Sequence, residues 1–136
     1  MGHVLMTDVE QWDPRSISLG DNHRAILSNA WRERTGMKLP LTQEDLETMR
    51  VALMAKAGDW KQFAEPADDN TIINWIKVLV LCEEQYSGFD CGAKSPVIPL
   101  VGVLRQRGTY SREITSWIKE NSSNRFLPYG SLLDRL

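Results

Sequence analysis

Asn70-Thr71-Ile72-Ile73-Asn74-Trp75-Ile76-Lys77-Val78-Leu79-Val80-Leu81-Cys82 is the one long, nearly all-apolar run in the chain, and its reading decides the fold. Its β-branched residues, Ile72, Ile73, Ile76, Val78 and Val80, would suit a strand, because branched side chains pack well on a pleated surface. Three features outweigh that. Asp68-Asp69-Asn70-Thr71 offers side-chain acceptors to the free N–H groups of a first helical turn and puts acids at its positive end. Continued through Glu83-Glu84-Gln85, the segment reaches about 17 residues, too long for an ordinary strand. Gly88 then supplies a stop. The pattern predicts a helix over about 70–87, and a helix apolar on nearly every face is buried on nearly every face. A buried strand over Ile76 to Cys82 is the alternative. A bilayer span would need roughly 20 uninterrupted apolar residues, and Lys77 interrupts this run.

The flanking segments read as helices that pack around it. Asp21 serves as an N-cap for a helix to Arg34, with Ile26, Leu27, Ala30 and Trp31 on one face and Gly36 as its stop. His23 reads as a solvated first-turn residue. Thr42 with Asp45 approaches a capping box, and Leu41 with Leu46 forms the matching hydrophobic staple. Leu46, Met49, Leu53 and Ala57 then recur on one face, which predicts a helix over Gln43 to Ala57 closed by Gly58. Met49 and Met54 are expected in its core. Asp59 to Ala67 reads as a linker whose Trp60 and Phe63 fold back over the helices. After the central run, Gly88 to Ser95 forms a loop. Ser95-Pro96 opens a helix with Val97, Leu100, Val101 and Leu104 inward and Gly108 as its end. Ser111 caps a last helix that turns Ile114, Trp117 and Ile118 inward.

The expected fold is all-α: a compact single-domain bundle of about five helices over residues 1–136, with residues 1–19 as a loosely docked, irregular arm. Its core should hold Leu46, Met49, Leu53, Ile73, Trp75, Ile76, Leu79, Val80, Leu104, Ile114 and Trp117. The tail, with Phe126, Leu132, Leu133 and Leu136, is too apolar for a free end. It should dock on its own body or on a second copy, giving a monomer or a two-fold homodimer.

Composition narrows the function classes. A chain of 136 residues with 42% apolar and 25% charged residues is an ordinary globular domain, not a disordered one. Two cysteines, Cys82 and Cys91, make no disulfide framework, and residues 1–19 lack the apolar run of a secretory leader. Both point to a reducing cytoplasm without membrane insertion. From Lys94 onward seven basic residues face three acidic ones, so that part carries +4 while the rest carries −6. A basic end on an acidic body can mark an anionic partner.

Chemistry-bearing motifs are sparse. His3 and His23 lie far apart in sequence. Asp68-Asp69 and Glu83-Glu84 have simpler roles at a helix end and on a solvated face. Cys82 and Cys91 do not make a ligand set, and the Gly88–Ser95 loop lacks the spacing of a phosphate-binding loop. The expectation is a non-enzymatic protein without metal or cofactor that binds another protein. An inhibitor, an immunity protein or an accessory protein of a mobile element would fit. Aromatic residues outside the periodic segments are the candidate contacts: Trp12, Trp60, Phe63, Phe89 and Tyr129. The alternative is nucleic-acid binding by a helix-turn-helix-like segment at about 97–121. There Arg105, Arg107, Arg112 and Lys119 would meet phosphate, and Ser116 and Lys119 would reach base edges. An isoelectric point near 5.7 weighs against that alternative.

Overall fold

The computed structural model describes residues 17–131. Among them are six α-helices: α1 (Asp21–Glu33), α2 (Gln43–Ala52), α3 (Ala57–Ala64), α4 (Asp69–Gln85), α5 (Val97–Arg107) and α6 (Arg112–Asn121). A 3-10 turn, Gly92–Lys94, precedes α5. The apolar run is helical, and the strand reading of it fails. Asp68 accepts the Thr71 N–H at 2.8 Å and fixes the start of α4. Ile72, Trp75, Ile76 and the whole stretch Val78 to Cys82 are buried. The protein meets the demand of that apolar surface by packing α1, α5 and α6 against α4, while α2 adds to α1 and α3 to α5. Branched side chains here favour burial from several sides, and burial overrides their weak preference for strands.

Polar groups lock the layers. The Trp75 indole N–H donates to the Ser28 hydroxyl at 2.9 Å, joining α4 to α1. Gln85 accepts the Leu39 N–H and Tyr86 donates to the Leu39 carbonyl, so the buried Leu39 has both backbone groups satisfied by the end of α4. Lys77, the one cation inside the apolar run, lies with its Nζ 5.3 Å from the ring centroids of both Trp31 and Trp117. Two indole faces hold the charge while its stem covers apolar surface.

Several expectations are corrected. Helix α2 stops at Ala52 rather than Ala57, because Met54 and Ala55 turn back with short bonds to the Val51 and Ala52 carbonyls. The supposed linker is mostly helix α3. Lys56 stands at its N-cap, and its N–H donates to the Asp59 carboxylate at 3.2 Å. Gly58 therefore lies inside a helix and stops none. Met54 is 68% exposed rather than in the core, and Phe126 is exposed, with Leu127 as its buried neighbour. Ile73, Leu53 and Trp117 are half-buried, packed against the core from its edge. Gly20 rather than Asp21 occupies the N-cap of α1, and the Gly20 N–H donates to Nδ1 of a half-buried His23. The other expected core residues are buried. The start of the arm and the tail from Leu132 onward lie outside the described residues.

Candidate functional site

A cavity of about 780 Å³ opens between α3, α5 and the C-terminal turn. That is a size typical of ligand pockets. Its walls come from Leu53, Met54 and Ala55 of the turn after α2, from Trp60 on α3, and from Ile98, Val101 and Gly102 on α5, with Pro128 and Tyr129 closing one side. These residues make the interior apolar. Around it stand Lys56, Lys61, Lys94 and Arg105, and among the described residues no aspartate or glutamate lines the cavity.

Local structure explains each placement. The turn that ends α2 brings Lys56 to the N-terminus of α3, where the positive end of the helix dipole adds to its charge. Lys61 lies across α5 at Gly102; a Cβ there would sit 3.6 Å from its Cε. A glycine inside a helix is destabilising by roughly 0.5–1 kcal/mol relative to alanine. Here it keeps the face of α5 low beneath the lysine stem. Lys94 ends the 3-10 turn, and Arg105 lies on the last turn of α5 with its guanidinium 5.0 Å from the Tyr129 ring centroid. The Tyr129 hydroxyl is 3.4 Å from that of Thr115, which bonds Tyr110 at 2.6 Å. That chain ties the Tyr129 wall to α6.

Three basic residues outside the cavity are held in ion pairs. Arg24, Arg32 and Arg107 each pair with a carboxylate, at 2.8, 3.4 and 2.9 Å. Among the described residues Lys56, Lys61, Lys94 and Arg105 have no such partner. A concave surface of one sign over apolar walls concentrates its field and draws anions.

The cavity gathers only part of what the sequence proposed. Of the five aromatic candidates, Tyr129 borders it half-buried and Trp60 forms part of its wall. Trp60, Phe63 and Phe89 are nevertheless core residues, exposed by 1%, 3% and 1%, and cannot be surface anchors. The reason lies in α3. Once helical, it turns Trp60 and Phe63 onto the bundle, where Phe63 meets the Trp75 ring at 4.9 Å and the Trp60 ring at 5.3 Å. Phe89 packs against Tyr86 at 6.1 Å, with the Arg50 guanidinium 5.4 Å away. Trp12 lies outside the described residues.

Of the nucleic-acid candidates, Arg107 is already engaged. Its guanidinium donates to the Ala67 and Glu65 carbonyls and to the Asp69 carboxylate, at 2.9, 3.0 and 2.9 Å, clamping the end of α5 to the start of α4. Arg105 belongs to the cavity. Arg112, Ser116 and Lys119 are exposed and share one face of α6. The signal the sequence reading missed was Lys56, Lys61 and Lys94. They are scattered through segments read as a helix end, a linker and a loop, and only the fold brings them together.

A second polar cluster lies nearby. Asn124 donates to the Glu83 carboxylate at 3.2 Å and to the Gly92 carbonyl at 3.0 Å, pinning the C-terminal segment to α4. Burial pushes the Glu83 carboxyl up, against hydrogen bonds from Asn124 and its neighbours that favour the charged form. Burial also raises the Cys91 thiol, with Glu83 and Asp90 adding to the effect. Cys82, within α4, is pushed up to about 12, by burial first and then by Glu83. High thiol pKa values are the reverse of what an activated nucleophile needs. Among the described residues no group of three His, Cys, Asp or Glu is placed to hold a metal ion. No described helix is long and apolar enough to cross a membrane. Comparison with protein-family models, with curated proteins and with solved structures finds no match.

Proposed function

We propose that this protein is a non-enzymatic binding module that engages another protein through the cavity face between α3 and α5. An inhibitor, an immunity protein or an accessory protein of a mobile element would fit this reading, and its two free cysteines suit a reducing cytoplasm. The observation that carries the reading is the combination of apolar walls with four cations and, among the described residues, no acid in the lining. Exposed Met54 forms an apolar lip at the opening. A methionine at such a lip adapts to more than one shape. Site-specific photo-crosslinking in the native host tests it. A crosslinker at Met54 or Ile98 should trap a defined protein adduct that one at Glu47, exposed on α2, does not. Equal adducts from both positions, or none from either, would remove the reading.

The second reading is nucleic-acid binding. What favours it is the exposed row Arg112, Ser116 and Lys119 on α6. Against it, Arg107 is engaged within the protein, and α5 packs on α3 and α4, and α6 packs on α4, rather than on each other. Gel shifts with mixed duplex DNA at low salt decide it, since non-specific binding is strongest there.

A further inference from the structure

We infer that the occupant of the cavity is an acidic peptide segment of the partner, with one apolar side chain entering between Trp60 and Ile98 and carboxylates meeting Lys56, Lys61, Lys94 and Arg105. This rests on the protein-binding reading above and gives it a ligand class.

Charge complementarity is the first argument. The chain carries a net charge of −2, so its surface as a whole does not attract anions. Among the described residues, four cations and no acid on one concave surface reverse that locally. An acidic segment is drawn there and repelled by the rest of the body. The second argument is the apolar interior. Apolar walls reward a side chain that fills them, because the apolar surface of both leaves water. An anion without an apolar group leaves that surface unused.

The same two features argue against a phosphate polymer. Nucleic-acid grooves track a backbone with a continuous basic stripe and stack exposed aromatic rings against bases. Here the Trp60 ring is buried in the wall and the cations surround a hollow. Three of the four are lysines, which act as point charges on flexible stems and impose no fixed geometry on the anions they meet. Carboxylates at variable positions along a peptide suit such a ring.

Selection of a random peptide library, about twelve residues long, on the immobilised full chain reads the ligand class directly. Enriched peptides should carry several Asp or Glu residues around a Leu, Met or aromatic anchor. Labelled for anisotropy, the best of them should bind at least about tenfold more weakly to K56E/K61E. Gly102→Leu, which places a side chain in the hollow, should produce a loss of similar size with a thermal midpoint no lower than that of wild type. Replacing the peptide's acids by amides, or its anchor by glycine, should do the same. Raising salt from about 50 to about 300 mM should weaken binding several-fold. Enrichment of neutral or basic peptides, no enrichment at all, or equal affinity for K56E/K61E would overturn the inference. So would single-stranded DNA that binds as tightly as the peptide and is released by the same charge reversal. If the photo-crosslinked adduct persists under any of these results, the ligand class is wrong and the protein-binding reading survives. If the adduct is also lost, both fall.

Discussion

Phe63→Ala separates a core role from a contact role more sharply than any other single change. Phe63 is 3% exposed and lies within 5.3 Å of the Trp60 and 4.9 Å of the Trp75 ring centroids. The Arg24 guanidinium covers it at 4.7 Å and also donates to the Phe63 carbonyl at 3.0 Å. Truncation removes a full ring from a site bounded by two larger rings that cannot collapse into the space. Core Phe-to-Ala changes are destabilising by about 3–5 kcal/mol. A domain of this size has about 5–15 kcal/mol in all, so the variant should remain folded but with much of its margin gone. At a urea dependence of about 2 kcal/mol per molar, the midpoint should fall by about 2 M. Phe63→Leu keeps most of the volume and should lose less than about 2 kcal/mol. Urea titration followed by tryptophan fluorescence measures both, because Trp60 and Trp75 report the same site. A Phe63→Ala midpoint within about 0.3 M of wild type, equivalent to less than about 1 kcal/mol, would mean the ring is not in the core, and the placement of α3 would be wrong.

Arg107→Ala should lower stability by about 1–2 kcal/mol, since three charge-assisted bonds are lost at a partly exposed site; an unchanged thermal midpoint would show that the clamp on α4 contributes nothing. Glu83→Gln tests a pH dependence. A carboxyl whose pKa is raised by folding holds its proton more tightly in the folded state, so wild type loses stability as pH rises from the usual carboxylate range through the raised value. The variant should therefore gain on wild type between about pH 4 and about pH 7, and a difference that stays constant or shrinks as pH rises would contradict it. Native thiol labelling near neutral pH should modify the half-buried Cys91 slowly and leave Cys82 untouched until the protein is unfolded. Rapid reaction of Cys82 in the native state would mean α4 is not buried as described.

The central helix was legible because three independent signals agreed: its apolar run, the Asp68 cap and its length. Gly108 was equally plain, since it takes the left-handed conformation at the end of α5 that glycine adopts without strain. Helix α3 was not legible. It has two turns, includes Gly58, and begins at Lys56, which is not a usual capping residue. The capping carboxylate comes instead from Asp59, reaching back to the N-cap N–H, half of a capping box without its usual first member. Reading that segment as a linker made surface anchors of Trp60 and Phe63, although their expected return over the helices already pointed inward. The site was hidden for a different reason. Its cations come from four separate segments, and spacing along the chain says nothing about a ring assembled by tertiary packing. Tyr129 was named as a contact because it is an aromatic residue in a loop, and Arg105 for a different partner because it is basic; both border the cavity.

The most direct measurement is an amide-shift titration of the isotope-labelled full chain with an acidic, apolar-anchored peptide taken from the library selection. The account predicts shifts confined to Met54 through Lys61, Ala93 through Arg105 and Tyr129, with the exposed face of α6 at Arg112, Ser116 and Lys119 unmoved. Shifts centred on that face of α6, or spread evenly over the surface, would contradict it.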